Sequence, residues 1–141
     1  MPLNAACLFV AGALRAVVPA PDFTVAWMHS VEKTRWEERY RVEGTKLRLI
    51  EARIQGSGAG MDPPPDAKLH DGWWTWRPSV GPLPALRLTL SPFTRDYDLC
   101  WRGRCQTLQR LVAADPEHDH PHAHRDARSD VGVVEIRACR K

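Results

Sequence analysis

Four polar side chains of different kinds lie close together near residue 30, and we take them as candidate ligand-binding residues: His29, Ser30, Glu32 and Glu38. An imidazole, a hydroxyl and two carboxylates are suited to holding a hard cation or an amine, or to acid–base catalysis. On an extended chain Ser30 and Glu32 would lie on one side and His29 on the other. The alternative is a solvated surface, on which Glu32 pairs with a nearby arginine and Ser30 closes a turn.

These residues do not form a recognisable catalytic array. Ser30 and His29 are neighbours, so their side chains diverge on a strand, and no Gly-x-Ser-x-Gly elbow accompanies them. We therefore predict a non-enzymatic protein without a cofactor. The alternative, from a different class, is a metal-binding protein or metal-dependent enzyme in which His29, Glu32 and Glu38 ligate the ion.

A glycine-rich stretch at 56–60 follows a predicted strand, but no Lys-Ser or Lys-Thr and no helix follow it. Phosphate binding is therefore disfavoured, and a bulge or a close backbone approach is favoured. Alternatively, the small side chains make room for a ligand beside Trp27 or Trp74. The candidate ligand-binding residues in this stretch are Gly58, Ala59 and Gly60.

Four alternating histidines lie in a stretch with almost no apolar residues, which predicts a mobile loop at 115–130. In an extended chain all four imidazoles would lie on one side, where Zn, Ni or Cu could bind. A dedicated site needs preorganised ligands, so adventitious metal binding or a plain solvated loop is favoured. The histidines are His118, His120, His122 and His124.

The chain has six tryptophans against two tyrosines and three phenylalanines, and three of the tryptophans lie within residues 73–76. Alternation places Trp74 and Trp76 on one face of a strand and Trp73 on the other. Large indole rings favour a role in the core. An aromatic platform for a ligand is the alternative, and it requires exposed rings.

Four cysteines suggest two pairings. Cys100 and Cys105 bracket a tight turn with Gly103 near its tip, and Cys7 and Cys139 lie in strand-like segments near opposite ends of the chain. Two disulfides would indicate an oxidising compartment. Four reduced buried thiols are an equally weighted alternative.

Alternating apolar and polar residues predict short β-strands along most of the chain. In Arg35–Val42 the apolar side is Trp36, Tyr40 and Val42, and in Lys46–Ile54 it is Leu47 and Leu49, with Glu51 on the same side. Only Leu108–Ala114 could form a short helix. We predict an all-β, mainly antiparallel, compact sandwich or barrel-like single domain spanning 1–141, with a proline-rich loop at 62–66.

Composition excludes several classes of protein. The net charge of +3 arises from 20 basic and 17 acidic residues that are mixed along the chain, which disfavours nucleic-acid binding. No apolar run is long enough to span a bilayer. Residues 5–20 lack the basic start of a signal peptide, so we expect them to belong to the folded domain.

Taken together, four segments resemble the bacterial family known as domain of unknown function 1850, and the resemblance runs from about Ala6 to Leu111. Its most recognisable parts are the His-Ser-Val-Glu run, a glutamate matched by Glu38, and the Gly-Ala-Gly sequence. The His-rich segment departs from the family pattern. The segments are Phe23–Glu38, Glu51–Met61, Asp71–Trp74 and Leu99–Cys105.

The resemblance implies a small β-rich protein that is often encoded with TAXI-type tripartite ATP-independent periplasmic (TRAP) transporters of organic anions. We therefore expect an accessory or binding protein of the periplasm or cell envelope, with a transporter membrane subunit or its substrate-binding protein as partner. A cytoplasmic location is the alternative, because no clear signal peptide is present. A purely structural interaction domain is a third possibility.

Overall fold

The computed structural model describes residues 3–28, 34–56, 63–91, 95–113 and 132–141. The part of the chain so described contains eleven β-strands and one short helix. In chain order the elements are β1 (Ala5–Val10), β2 (Ala13–Val18), β3 (Asp22–Met28), β4 (Arg35–Glu43), β5 (Lys46–Gln55), β6 (Lys68–His70), β7 (Trp73–Trp76), β8 (Leu86–Thr89), β9 (Asp98–Trp101), β10 (Arg104–Thr107), α1 (Leu108–Val112) and β11 (Val133–Cys139).

The strands form two antiparallel sheets, which confirms the all-β prediction. The smaller sheet has the order β2-β1-β11-β8 and the larger has the order β10-β9-β3-β4-β5-β7-β6. The sheets do not close into a barrel in the part of the chain that is described. The apolar segment near the N-terminus provides β1 and β2, so residues 5–20 belong to the folded domain as expected.

Tight turns connect three of the hairpins. Their central residues are Ala11-Gly12, Asp71-Gly72 and Arg102-Gly103, and all six have positive φ. Positive φ at both central positions is the condition for the type I′ turn, whose twist matches that of the flanking strands. The turn predicted around Gly103 is therefore present, and it brings β9 against β10.

One continuous core lies between the two sheets. From the smaller sheet it receives Leu8 and Ile136, and from the larger sheet it receives Phe23, Tyr40 and Leu99. The rings of Phe23 and Tyr40 stack with centroids 5.6 Å apart. The core covers only one part of the larger sheet's inner face, and the remainder of that face forms the candidate site below.

A bulge in β5 exchanges the two faces for the residues that follow it, which differs from the prediction. Leu49 pairs with Tyr40 and Glu51 pairs with Arg39, so Ile50 is an extra residue with no partner in the ladder. Since side chains alternate strictly along a regular strand, one extra residue exchanges the faces that follow it. Glu51 therefore lies on the outer face, opposite to the prediction, and Ala52 lies on the inner face.

The segment before residue 113 forms a strand and then a helix. The sequence allowed a short helix over Leu108–Ala114, and the structure has β10 followed by α1. The Thr107 hydroxyl caps this helix by accepting a hydrogen bond from the Arg110 backbone amide at 3.3 Å. Leu108 and Val112 are buried, so the helix closes one end of the core.

Both cysteine pairs are joined in the structure. Cys7 is bonded to Cys139 and Cys100 to Cys105, and the described residues contain no free cysteine. The first bridge links β1 to β11, which are neighbours in the smaller sheet. The second lies across the β9–β10 hairpin, where Cys100 and Cys105 are directly opposed.

Of the two predicted loops, the structure describes most of the proline-rich loop and none of the loop at 115–130. Within the proline-rich loop, the Ala67 amide donates a hydrogen bond to the Pro64 carbonyl at 2.9 Å, which closes a turn. The predicted mobile loop at 115–130, including His118, His120, His122 and His124, lies outside the described residues. No helix among the described residues is long and apolar enough to cross a membrane.

Candidate functional site

The part of the larger sheet's inner face that the core leaves uncovered is rich in aromatic side chains. Pairing of Trp27 with Trp36, of Ile54 with Trp74 and of Ala52 with Trp76 places these side chains on one face of the sheet. The aromatic residues are all half-buried. We call this surface the tryptophan face, and its members are Trp27, Trp36, Glu38, Trp74, Trp76 and Tyr97.

The indole rings of the tryptophan face pack against one another. Trp27 and Trp36 stack, with centroids 5.9 Å apart and ring planes inclined by 12°. Trp76 meets Trp36 edge to face at 6.2 Å, and Tyr97 meets Trp27 at 6.0 Å. All three separations lie in the range of favourable aromatic pairs. The rings of Trp27, Trp36, Trp76 and Tyr97 therefore form one connected set, whose edge at Trp27 reaches the core.

Among the described residues, Glu38 is the one acidic side chain on this face. It pairs with Val25 on one side and Ala52 on the other, and the core residue Tyr40 lies two positions further along its own strand. The Tyr40 hydroxyl donates a hydrogen bond of 2.5 Å to Glu38 Oε2. Burial, this hydrogen bond and the negative charge of Glu38 all raise the pKa of Tyr40 above its usual value.

The raised pKa of Tyr40 predicts a specific loss of stability at high pH. An unfolded tyrosine ionises near pH 10, whereas Tyr40 in the folded chain keeps its proton to higher pH. The contribution of Tyr40 is therefore complete below pH 10 and decreases as the pH rises above it. Relative to Tyr40→Phe, the wild-type free energy of unfolding should fall by about 1.4 kcal/mol more per pH unit.

Urea unfolding between pH 9 and pH 11.5 measures this difference. The phenylalanine variant has no hydroxyl to ionise and retains the remaining titratable groups, so the comparison isolates Tyr40. Parallel pH profiles of the two proteins would contradict the assignment of a raised pKa to this hydroxyl.

The opposite, outer face of the same strands carries the arginines. Glu37 accepts hydrogen bonds from Arg53 at 2.5 Å and from Arg35 at 3.4 Å, and Arg35 also pairs with Asp98 at 3.4 Å. The guanidinium carbon of Arg53 lies 4.2 Å from the ring centroid of Trp73. This network borders a shallow depression of about 240 Å³ that is lined by Thr24, Glu37, Arg39, Glu51 and Arg53.

The two faces of β4 therefore differ in charge. Because residues alternate across a strand, its three arginines point away from the side that carries Trp36 and Glu38. All of them pair on the outer side: Arg35 with Glu37 and Asp98, and Arg39 and Arg41 with Asp22. No ion pair joins Glu38 to an arginine or lysine within the residues that the structure describes.

Thr34 and Gly56, two described residues close in sequence to the motif segments, lie beside the tryptophan face. Thr34, which follows the His-Ser-Val-Glu run, lies against Gly56, which precedes the Gly-Ala-Gly sequence. A Cβ atom at Gly56 would lie 3.0 Å from Thr34 Cγ2, and Gly56 has φ +131°. A larger residue would therefore be strained and crowded against the Thr34 side chain. The rest of the glycine-rich stretch lies outside the described residues, so its predicted bulge or close backbone approach stays a prediction.

Most of the predicted site residues lie outside the described part of the chain. This holds for all the candidates except Glu38, namely His29, Ser30, Glu32, Gly58, Ala59 and Gly60, so the predicted constellation as a whole stays a prediction. Among the described residues there is no group of three or more histidine, cysteine, aspartate or glutamate side chains that could hold a metal ion.

Three residues in or beside the tryptophan face were not among the predicted site residues. Trp36 and Tyr40 were predicted only as the apolar side of a strand, and Tyr97 was not among the candidates. The available signal was the alternation of Trp36, Glu38 and Tyr40, which places an acidic residue between two aromatic ones on a single face. Trp74 and Trp76 were favoured as core residues, but they are half-buried and lie outside the core cluster.

Fold and site together define a class: a disulfide-linked, two-sheet β domain with a half-open aromatic surface around one carboxylate. Residues 23–108 match the family described as domain of unknown function (DUF1850), which is more than half of the chain. The chain belongs to this family, as its motifs predicted, although the match is shorter at both ends than the predicted resemblance. The chain matches no curated protein and no solved structure.

Proposed function

We propose that this protein is a non-enzymatic accessory or binding protein of the periplasm or cell envelope. In this proposal it works beside a TAXI-type TRAP transporter of organic anions, and the tryptophan face with the adjoining motif residues is its recognition patch. The patch comprises His29, Ser30, Glu32, Glu38, Gly58, Ala59 and Gly60, together with the aromatic side chains around Glu38.

The observation that carries the proposed binding role is the position of Glu38. It lies in a half-open aromatic surface, on the face of β4 opposite the arginines, and a buried tyrosine holds one of its oxygens. Thr34 and Gly56, which flank the two motif segments, touch each other at one end of this surface. A solvated surface alone would not require that contact or a hydrogen bond from a buried tyrosine.

Two further points support the location and the partner. Disulfides persist in oxidising compartments, and the structure joins both ends of the chain by one. The transporter association follows from the resemblance to the family and from nothing in the site itself.

Co-purification tests the proposal. Affinity-tagged protein, expressed in native cells and isolated at low salt from the membrane fraction, should retain a transporter membrane subunit or its binding protein. Glu38→Gln should reduce that recovery at least severalfold. Glu51→Gln, on the outer face of the neighbouring strand, is the matched control and should recover as much as wild type. Recovery of neither partner by the wild type would contradict the proposal.

A further inference from the structure

We infer that the tryptophan face binds an organic ammonium group, with Glu38 as its counter-charge and the indole rings as its walls. This inference names a ligand class for the recognition patch and so rests on the proposed binding role. It depends on four properties of the described residues: the charge of Glu38, the arrangement of the rings, an apolar floor and unpartnered hydrogen-bonding groups.

The first property is a negative charge without a cationic partner among the described residues. Glu38 is half-buried, and its one hydrogen bond in the described structure comes from the neutral Tyr40 hydroxyl. A carboxylate that is partly withdrawn from water is stabilised by a cation nearby. The arginines of β4 point to the other side of the sheet, so a cation on the inner face must come from a bound molecule or from outside the described residues.

The second property is the choice of rings. Stacked Trp27 and Trp36, with Trp76 edge-on, place three indoles on the same face of the sheet as the carboxylate, and indole is the aromatic group that attracts cations most strongly. The same chain already uses this contact on its outer face, where Arg53 lies over Trp73 at 4.2 Å. On the inner face the rings have no cationic side chain of the described residues over them.

The third property is the floor between the strands. Ala52 lies between Glu38 and Trp76 in the strand pairing, and Ile54 lies between Trp36 and Trp74. Both are buried. The Trp36 and Trp76 rings, which come from the strands on either side of β5, meet with centroids 6.2 Å apart, and Ala52 contributes only a methyl group to the floor between those strands. The alkyl groups of an ammonium compound, which carry most of its surface, fit such an apolar floor better than a hydrated metal ion does.

The fourth property is a pair of hydrogen-bonding groups without a partner. Trp36 Nε1 and Thr34 Oγ1 are buried, and neither makes a hydrogen bond within the described structure. An unsatisfied buried donor destabilises the fold, so a partner for it is favoured. Because Trp36 Nε1 has no solvent-accessible surface, a hydroxyl or carbonyl oxygen of the ligand would accept from this N–H only after the neighbouring side chains move apart. A substituted ammonium that also has an oxygen acceptor therefore fits better than a simple ammonium.

Titration calorimetry in phosphate buffer tests this inference with choline as the probe. Its matched control is 3,3-dimethylbutan-1-ol, which has the same shape and hydroxyl but no charge. We expect saturable choline binding and at least tenfold weaker binding of the neutral alcohol. Tetramethylammonium, which lacks the hydroxyl, should bind more weakly than choline.

Variants locate the binding. Glu38→Gln retains an acceptor for Tyr40 and should weaken choline binding at least tenfold, whereas Glu51→Gln on the outer face should not change it. Trp76→Phe should also weaken binding, and Trp73→Phe, on the outer face, is its control. If circular dichroism shows that Glu38→Gln does not fold, the comparison of Trp76→Phe with Trp73→Phe still tests the inference.

Several results would overturn the inference. They are the absence of saturable binding by either cation, equal binding of choline and the neutral alcohol, and equal loss in the inner-face and outer-face variants. The transporter proposal is separable from it. Choline binding without recovery of a transporter subunit would support the cation site and contradict the transporter role. Recovery of a transporter subunit without cation binding would support the transporter role and contradict the cation site.

Discussion

Removing the disulfide between Cys7 and Cys139 should lower the free energy of unfolding by about 5 kcal/mol. The bridge joins residues separated by 132 positions. In the chain-entropy account, a longer closed loop restricts the unfolded chain more and therefore stabilises the fold more. Since domains of this size are stable by only about 5–15 kcal/mol, the loss would be a large part of the total.

The second disulfide provides the matched control. Cys100 and Cys105 are separated by 5 positions, so the same account predicts a loss of only about 2 kcal/mol for their removal. Urea unfolding of Cys7→Ala/Cys139→Ala and of Cys100→Ala/Cys105→Ala measures both values. Equal losses, or a larger loss for the hairpin bridge, would contradict the view that the terminal bridge is the principal covalent constraint.

Truncation of Leu8 to alanine should cost about 2–5 kcal/mol, because Leu8 has no exposed surface and lies in the core between the two sheets. On its own sheet it pairs with Ala16 of β2 and with Ile136 of β11. Small neighbours on one side leave little that could fill the resulting cavity. Most of the lost packing should therefore appear in the measured free energy.

Leu14→Ala is the control for this substitution. Leu14 lies on the neighbouring strand β2, and 55% of its surface is exposed. The same chemical change there should alter the free energy of unfolding by about 0.5 kcal/mol or less. Urea denaturation of both variants provides the comparison. Similar losses at the two positions would mean that the smaller sheet does not pack over the larger one as described.

The alternation of residue types was sufficient to predict most strands and their faces. Phe23, Val25 and Trp27 lie on the inner face, as the period of two indicates. Trp74 and Trp73 lie on opposite faces of their strand, as predicted. The bulge at Ile50 was not predictable, because an extra residue in one strand depends on its partner strand. The prediction that Glu51 shares a face with Leu47 and Leu49 was therefore wrong.

The cysteine pairings illustrate a different limit. A hairpin pair such as Cys100 and Cys105 follows from a local turn, but the pairing of Cys7 with Cys139 requires that β1 and β11 are neighbours. Spacing along the chain contains no information about that neighbourhood. The sequence therefore left disulfides and reduced thiols equally weighted.

In the candidate site, too, the local pattern was predictable from the sequence and the packing of the two sheets was not. Glu38 was selected from the sequence, and its alternation with Trp36 and Tyr40 contains the information that all three share a face. What the sequence does not contain is how far the smaller sheet extends over the larger one. That extent buries Tyr40 and leaves Trp36 half-exposed, and so it decides which aromatic residues belong to the core and which to the tryptophan face.

We propose that the tryptophan face is the recognition surface of an envelope protein, and site-specific photo-crosslinking can locate that surface. The crosslinking residue p-benzoylphenylalanine is placed at Trp74 on the inner face or at Trp73 on the outer face. In cells that express the transporter, we expect an adduct with a transporter membrane subunit or its binding protein from position 74 and none from position 73. An adduct from position 73 alone, or from neither position, would overturn the proposal.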